Sequence, residues 1–322
     1  KSMKAIKIID NKLNWVDTDD PICMDHEVII KIKSTAVNRA DLAQKAGLYP
    51  APPGASEILG LECSGIIHEV GKNVVNRQVG DEVIALLAGG GYAEYVSCPE
   101  VQTLPLPNNV SLTDGAAIPE VFATCWLNLF MEGNLKEGEK VLFHAGASGI
   151  GTAGIQLCNI FECESFITAG NQEKIDFCKS LGSSFGFVRL ENSFQSFKDK
   201  CPSGFDIILD PVGGNYLEEN LNNLAIEGRL IIIGILGGVN GKINIGQLLV
   251  KRQKIIGSTI RARSVETKGK VMNDLYKNTW SYFEKEIIRP IIFKKLSIKE
   301  ADSAHNIMEK NDNIGKIILE VY

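Results

Sequence analysis

The chain has 322 residues, of which 44% are hydrophobic and 23% are charged. This composition excludes collagen-like, coiled-coil and largely disordered proteins, and the length favours two domains. The formal net charge of −5 argues against nucleic acid or an anionic membrane as the principal partner, because both select basic surfaces. A small-molecule substrate is therefore the first expectation.

The eight cysteines form no close Cys-x-x-Cys pair and mostly lie inside apolar runs. In a chain of this length, such a distribution is typical of reduced thiols rather than of a disulfide framework. The first residues lack the apolar run of a signal peptide, and no apolar stretch reaches the roughly 18 residues of a membrane span. These observations predict a cytoplasmic protein with no membrane partner.

The first third of the chain consists of short β-rich runs separated by glycine and other turn residues. The strand candidates lie at 28–33, 64–70, 81–85 and 92–96. Such a series predicts a small barrel or sandwich. A helix start follows at 111–114, and Pro119 is expected to bend or restart that helix.

Beyond residue 140, buried strands alternate with helical segments. The strand candidates are 141–145, 165–169, 185–188, 205–210, 230–233 and 254–259. Near-continuous Ile, Leu and Val runs separated by helices predict a parallel sheet covered on both faces, in a doubly wound α/β fold.

The last part of the chain alternates helices with short strands. Helices are predicted over 265–286 and 298–308, and strands near 291–293 and over 316–321. This segment is too short for an ordinary domain. We expect it to pack against the N-terminal barrel.

A glycine-rich loop at 144–151 follows a buried strand and opens a helix over 152–161. In the spacing GxGxxG of dinucleotide sites, the glycine positions fall on Gly146, Ser148 and Gly151. Small residues let a pyrophosphate approach the backbone, and the helix N-terminus stabilises its charge. A tight turn without a ligand is the alternative. The predicted cofactor contacts are Gly146, Ala147, Ser148, Gly149, Ile150 and Gly151.

The end of the second strand of this region distinguishes NAD from NADP. No acidic residue stands at the strand end itself, where an NAD site places one for the ribose 2′-hydroxyl. Gly170, Asn171 and Lys174 follow that strand instead, and Arg189 follows the third. Because Lys174 and Arg189 could meet a 2′-phosphate, the sequence favours NADPH. Two observations leave NAD open: Glu173 lies close, and most such cations are solvated surface charges.

Several segments together resemble zinc-free medium-chain dehydrogenases/reductases, and most closely the tumour-suppressor-inducible, proapoptotic branch of the quinone oxidoreductases. The segments are 37–42, 52–56, 58–65, 116–120, the glycine loop with its serine, 209–214 and 313–316. The resemblance implies a GroES-like β-barrel catalytic domain, residues 1–119 plus 262–322, and an inserted Rossmann NADP-binding domain, residues 120–261. It also implies a homodimer joined through the cofactor domains.

The resemblance further implies that the protein has no metal site. Zinc-dependent relatives carry a Cys near the 38–41 segment and a His beside the glutamate, whereas here Leu61 precedes Glu62. Without a Lewis acid, hydride transfer from a nicotinamide needs an acceptor that requires little polarisation. Quinones and conjugated enones meet that requirement.

Catalytic roles are implied for Tyr49, Ser148 and Asn38. The family tyrosine lines the substrate cleft, the serine is implicated in activity, and the asparagine lies near the nicotinamide. As alternatives, Tyr49 could only pack against neighbouring prolines, and Ser148 could only cap its helix.

Further cofactor contacts are expected at strand ends, on one helix and near the C-terminus. They are Thr124, Gly213, Gly234, Leu236, Ile260, Arg261, Asn313 and Lys316. A mid-helix Thr124 is more often structural, and Asn313 and Lys316 could equally belong to a turn before a strand.

The sequence therefore predicts an NADPH-dependent quinone oxidoreductase that transfers hydride directly to the acceptor in an interdomain cleft. An enoyl or alkenal reductase is the enzymatic alternative; it would share the hydride donor and need an acid, for which Tyr49 could serve. A nucleotide-responsive binding protein with little catalysis is the third hypothesis.

Overall fold

The computed structural model describes residues 2–189 and 193–322. It divides into two compact units, the first comprising Lys1–Ala123 with Ile260–Tyr322 and the second Thr124–Thr259. The unit boundaries therefore lie a few residues from the predicted positions 119/120 and 261/262. The first boundary falls inside a helix, so no turn in the sequence marks it.

The N-terminal part of the first unit contains seven strands and a short helix. They are β1 (Ser2–Ile9), β2 (Lys12–Asp19), β3 (Glu27–Ala36), α1 (Arg39–Lys45), β4 (Glu62–Val70), β5 (Glu82–Leu86), β6 (Tyr95–Pro99) and β7 (Thr103–Pro105). The strand predicted over 92–96 begins only at Tyr95, because Tyr92 donates to the carbonyl of Leu59 and Glu94 donates to the carbonyl of Lys4. The other three strand predictions are confirmed.

The helix predicted after residue 111 restarts at Pro119, as expected. A 3₁₀ turn at Asp114–Ala117 precedes α2 (Pro119–Cys125), and a π-helical stretch at Trp126–Glu132 continues it. Proline fits this first helical position because its missing N–H needs no acceptor there.

The second unit is a six-stranded parallel sheet flanked by helices. Its elements are β8 (Lys140–Phe143), α3 (Gly149–Ile160), β9 (Glu164–Ala169), α4 (Gln172–Leu181), β10 (Phe185–Val188), α5 (Ser193–Lys200), β11 (Phe205–Asp210), α6 (Leu217–Asn222), β12 (Leu224–Ile232), α7 (Ile245–Val250) and β13 (Lys254–Gly257). The strand order is β10-β9-β8-β11-β12-β13. Successive strands are therefore added toward one edge of the sheet from β8 to β10 and toward the other edge from β11 to β13, as in doubly wound dinucleotide folds. All six predicted strands and the α/β class are confirmed.

The C-terminal segment returns to the first unit. Its elements are α8 (Val265–Glu284), β14 (Ile292–Ser297), α9 (Ala301–Glu309) and β15 (Lys316–Glu320). Strand β15 pairs antiparallel with β3, and Ile317 and Leu319 join Val37 and Leu59 in one buried cluster. The predicted packing of the chain end against the N-terminal sheet is confirmed.

Across the part of the chain that the structure describes, no helix has the length and apolar character needed to cross a membrane.

Candidate active site

Two glycines of the glycine-rich segment 144–151, which joins β8 to the first turn of α3, are required by packing. A Cβ at Gly146 would lie 2.3 Å from the Cβ of Ile167 on the neighbouring strand, and one at Gly151 would lie 2.3 Å from the carbonyl oxygen of Gly146. Real Cβ atoms do not approach so closely, so larger residues would push the loop from the sheet. The glycine pattern therefore has a structural cause, whether or not a ligand binds.

The loop also presents free backbone donors. The Ser148 hydroxyl caps α3 by accepting a hydrogen bond from the N–H of Gly151 at 3.1 Å. Among the described residues, the N–H groups of Ala147, Gly149 and Ile150 have no acceptor. Together with the positive end of the helix dipole, these three donors form a suitable cradle for an anion such as a pyrophosphate.

Four predicted cofactor residues lie at the adjacent ends of β9 and β10 or on the helix that follows β9. A Cβ at Gly170 would lie 3.5 Å from one guanidinium nitrogen of the exposed Arg189, so this side chain covers the glycine. The Asn171 side chain accepts from the N–H of Lys174 at 2.9 Å and caps α4. Asn171 is therefore engaged as a helix cap, whereas the Arg189 guanidinium remains exposed.

A buried hydrogen-bond chain that the sequence did not predict lies at the same edge of the sheet. His144 Nδ1 contacts the Thr168 hydroxyl at 2.9 Å, and His144 Nε2 contacts Asn220 Oδ1 at 2.7 Å. Asn220 Nδ2 donates to the Asp210 carboxylate at 3.0 Å, which also accepts from the Gly213 N–H at 3.0 Å. Burial lowers the pKa of His144, so its imidazole is neutral at pH 7. These hydrogen bonds join the residue after β8 to strand β9, to helix α6 and to the end of β11 with its following loop.

The remaining predicted residues of this unit differ in their surroundings. Gly213 has a φ of +78°, and a Cβ there would lie 3.0 Å from the carbonyl oxygen of Gly234. Leu236 is 64% exposed, whereas Thr124 is buried within α2 and its carbonyl accepts from Asn128. The two glycines thus shape the edge, and Leu236 presents an apolar side chain to solvent.

In the first unit, Lys316 does not have the surroundings of a cofactor ligand. Its ammonium contacts Glu62 Oε2 at 2.8 Å, Asn38 Oδ1 at 2.8 Å and the carbonyl of Val37 at 3.1 Å. These three acceptors use its three N–H donors, and the side chain is 3% exposed. Its predicted contact with a nucleotide is therefore withdrawn.

Asn313 belongs to a turn before a strand, which is the alternative that the sequence left open. Its side chain is buried and donates to the carbonyl of Gly315 at 2.9 Å. Gly315 has a φ of +77°. The segment is therefore a turn before β15, and its asparagine stabilises that turn.

Tyr49 and Arg261 lie together in the first unit. The guanidinium of the buried Arg261 donates to the carbonyl of Ala88 at 2.9 Å and to Gln44 Oε1 at 2.7 Å. It also lies 5.3 Å from the ring centroid of the half-buried Tyr49. Arg261 thus holds helix α1, through Gln44, and the tyrosine ring, and the neighbouring Ile260 is buried at 6% exposure.

A buried acid lies behind Asn38. The Asp41 carboxylate accepts from the N–H groups of Asn38 at 2.8 Å and Gly60 at 3.0 Å, and burial raises its pKa to about 6. The Tyr92 hydroxyl contacts this carboxylate and lies 2.9 Å from His305 Nε2. Sequence reasoning missed Tyr92 and His305, because the chain separates them widely and neither stands in a motif.

No group of three or more His, Cys, Asp or Glu side chains within residues 2–189 and 193–322 is arranged to hold a metal ion. The eight cysteines are free thiols, and seven of them are buried. Burial raises the thiol pKa, to about 11 at Cys163. The seven buried thiols are therefore protonated at neutral pH, and they belong to the core.

Two family models match the chain. The alcohol dehydrogenase GroES-like domain matches residues 24–108, and the zinc-binding dehydrogenase domain matches residues 149–275. The first match confirms the predicted GroES-like domain. The second model is named for zinc-binding dehydrogenases, whereas the described residues of this chain contain no cluster of metal ligands.

Individual relatives are distant but cover most of the chain. A quinone oxidoreductase of Rattus norvegicus is 28% identical over 303 residues, which are 93% of this chain and 90% of the relative. A synaptic vesicle membrane protein VAT-1 homolog of Danio rerio is 27% identical over 316 residues, and the chain spans only 65% of its length. The crystal structure of human synaptic vesicle membrane protein VAT-1 homolog-like protein superposes with a TM-score of 0.86 at 26% identity, covering 99% of this chain and 98% of that one.

Proposed function

The chain belongs to the medium-chain dehydrogenase/reductase family, and on that premise we propose that it is an NADPH-dependent quinone oxidoreductase. The observation that carries the proposal is the loop of the second unit, where three unpaired N–H groups flank a helix N-terminus. The named activity of the rat relative supports the quinone as acceptor. When bound, NADPH supplies the hydride.

In this proposal, different residues of the second unit contact different parts of NADPH. We assign the pyrophosphate to the N–H groups of Ala147, Gly149 and Ile150. The 2′-phosphate is assigned to Arg189, which lies at the end of β10, and to Lys174 on α4.

The first unit supplies groups for the acceptor. The Tyr49 phenol can donate a hydrogen bond to an acceptor oxygen, and the Arg261 guanidinium over its ring holds it in place. Ser148 can act in the same way, because its oxygen caps α3 while its hydroxyl hydrogen remains available. A proton from water completes the reduced product.

The test is NADPH oxidation by 1,4-naphthoquinone, measured beside NADH oxidation and beside an enoyl thioester. We expect turnover with the quinone and a preference for NADPH. Arg189→Gln and Lys174→Ala should each weaken NADPH binding at least about tenfold and leave NADH binding within about twofold, because NADH has no 2′-phosphate for these side chains to contact. Turnover of the thioester alone would favour the enoyl reductase, and equal NADPH and NADH affinities would overturn the phosphate assignment.

We also propose that two copies associate through the second unit. Strand β13 is the last strand at one edge of the sheet. Several exposed apolar side chains lie in the stretch of sequence just before it. They are Ile235, Leu236, Val239, Ile245, Leu249 and Val250. A second copy related by a two-fold axis would cover the edge with an identical strand and bury these side chains.

A further inference from the structure

Lys316, Glu62 and Asn38 form a closed, buried ring of polar contacts in the first unit. Lys316 Nζ lies 2.8 Å from both Glu62 Oε2 and Asn38 Oδ1, and Asn38 Nδ2 lies 2.7 Å from Glu62 Oε2. The Glu62 carboxylate is held from its other oxygen by the N–H of Glu120 at 3.0 Å. Its side chain is 0% exposed, so water does not compete for these contacts.

The chemistry of the two partners decides which way the Asn38 amide faces. An ammonium group only donates hydrogen bonds, so the amide oxygen must face Lys316. A carboxylate only accepts, so the amide nitrogen must face Glu62. The two charged groups therefore select one of the two amide orientations, which differ by a half turn.

This arrangement leaves one donor of Asn38 uncommitted. The amide nitrogen carries two hydrogens, and one of them is used by Glu62. No acceptor for the second lies among the described residues. Asn38 therefore presents a single N–H whose orientation is fixed before any ligand arrives.

We propose that Lys316 and Glu62 are positioning residues that hold this N–H toward the oxygen of the acceptor. The inference rests on the proposed quinone reduction. In that reaction a hydride, which carries two electrons and one proton, passes from NADPH to the quinone and leaves NADP⁺ and a hydroquinone anion. A proton from water then gives the hydroquinone. The Asn38 N–H stabilises the negative charge on the oxygen during transfer.

Such a donor is effective because it does not have to reorient when the charge forms. Loss of one preorganised donor at a developing oxyanion costs about 100-fold or more in kcat. Lys316 acts only through Asn38, since its three donors are already used within the ring and the Val37 carbonyl. The effects of the two residues should therefore not add.

A double-mutant cycle tests this coupling. Asn38→Leu and Lys316→Met should each lower kcat for 1,4-naphthoquinone about 100-fold, while Lys316→Met in the Asn38→Leu background should change kcat less than about twofold. The dissociation constant of NADPH should stay within about twofold of the wild-type value in all variants, because its proposed contacts lie in the second unit. Effects of the two substitutions that multiply would overturn the inference.

Because breaking a buried ion pair can unfold a protein, a second measurement uses chemical rescue. Lys316→Ala leaves a cavity lined by three oxygens, and tens of millimolar methylammonium should raise its thermal midpoint and increase its kcat at least about fivefold. Sodium chloride at the same ionic strength should not. Lys316→Met is the matched control, because its side chain fills the cavity.

The two proposals fail in different ways. A wild-type protein that reduces no quinone would overturn the proposed function. The methylammonium-dependent rise in the thermal midpoint needs no turnover, and its absence in Lys316→Ala, or its presence in Lys316→Met, would overturn the cation ring on which the positioning depends.

Discussion

At the scale of single residues, Asp41 is the buried acid with the clearest consequence for stability. Its carboxylate accepts two backbone hydrogen bonds, yet burial dominates and raises its pKa from 3.8 to about 6. The folded protein therefore binds this proton more tightly than the unfolded chain does. The corresponding stability is fully present below the unfolded pKa and is lost as the pH rises to about 6.

Replacing Asp41 with Asn should remove this pH dependence. Between pH 4 and pH 7, the free energy of unfolding of the wild type should fall by about 2.4 kcal/mol relative to that of Asp41→Asn, because each pKa unit corresponds to about 1.4 kcal/mol. Urea unfolding at several pH values measures it. Asp17→Asn, which removes a carboxylate from an exposed surface pair with Lys4, is the matched control. A wild-type curve that runs parallel to that of Asp41→Asn between pH 4 and pH 7 would contradict the expectation.

Residues whose role depends on neighbouring sequence could be identified from the sequence. A residue whose contacts come from distant parts of the chain could not. Gly146 and Gly151 could be predicted, because the strand, loop and helix that need them are contiguous. Lys316 was assigned to the cofactor because its partners, Glu62 and Asn38, lie far away in the sequence. Asn38 is 278 residues from Lys316, so no local pattern indicates the contact. Only the folded chain shows that its charge is already neutralised.

At the scale of elements, helix α3 begins at a residue with two candidate roles. The Ser148 oxygen caps the helix, and its hydroxyl hydrogen is available to a substrate. The cap predicted as an alternative is therefore present. Capping and contact with the acceptor can be distinguished experimentally, because alanine and glycine at the cap position destabilise a helix by different amounts.

Ser148→Ala should lower the free energy of unfolding by about 1 kcal/mol, whereas Ser148→Gly should cost only a few tenths. If the hydroxyl touches the acceptor, both variants should lose kcat at saturating NADPH to a similar extent. Urea unfolding and quinone turnover, measured on the same preparations, give the two quantities. Full activity in Ser148→Gly would restrict the serine to capping.

The elements of the second unit were predictable because parallel strands buried on both faces are continuous apolar runs. Hairpin β1–β2 was not predicted individually. Its two-residue turn uses Asp10 and Asn11, both with positive φ, and β1 mixes exposed and buried residues without strict alternation. Strand β7 has three residues, too few to show any periodicity.

At the scale of the whole molecule, the exposed apolar side chains named above, which lie near β13 in the sequence, are the reason to expect a dimer. A single chain in water rarely leaves so many large apolar side chains uncovered in one region. The homodimer implied by the family resemblance would cover them. This expectation can be tested without any assay of activity.

Leu249→Lys should convert a dimer to a monomer, because it places a charge among side chains that the second copy would bury. Analytical ultracentrifugation measures the mass. Val75→Lys is the matched control, since Val75 is similarly exposed but belongs to the first unit. A wild-type protein that sediments as a monomer at micromolar concentration would contradict the proposal.

The pairing of β15 with β3 sets an order for folding during synthesis. The second unit is one continuous segment and can fold as soon as it leaves the ribosome, whereas the first unit lacks a strand until β15 has been synthesised. Until then, Glu62 has no counter-charge. The N-terminal segment must therefore persist as an incomplete, exposed intermediate while the second unit is synthesised, and this is the stage at which chaperones would be needed most.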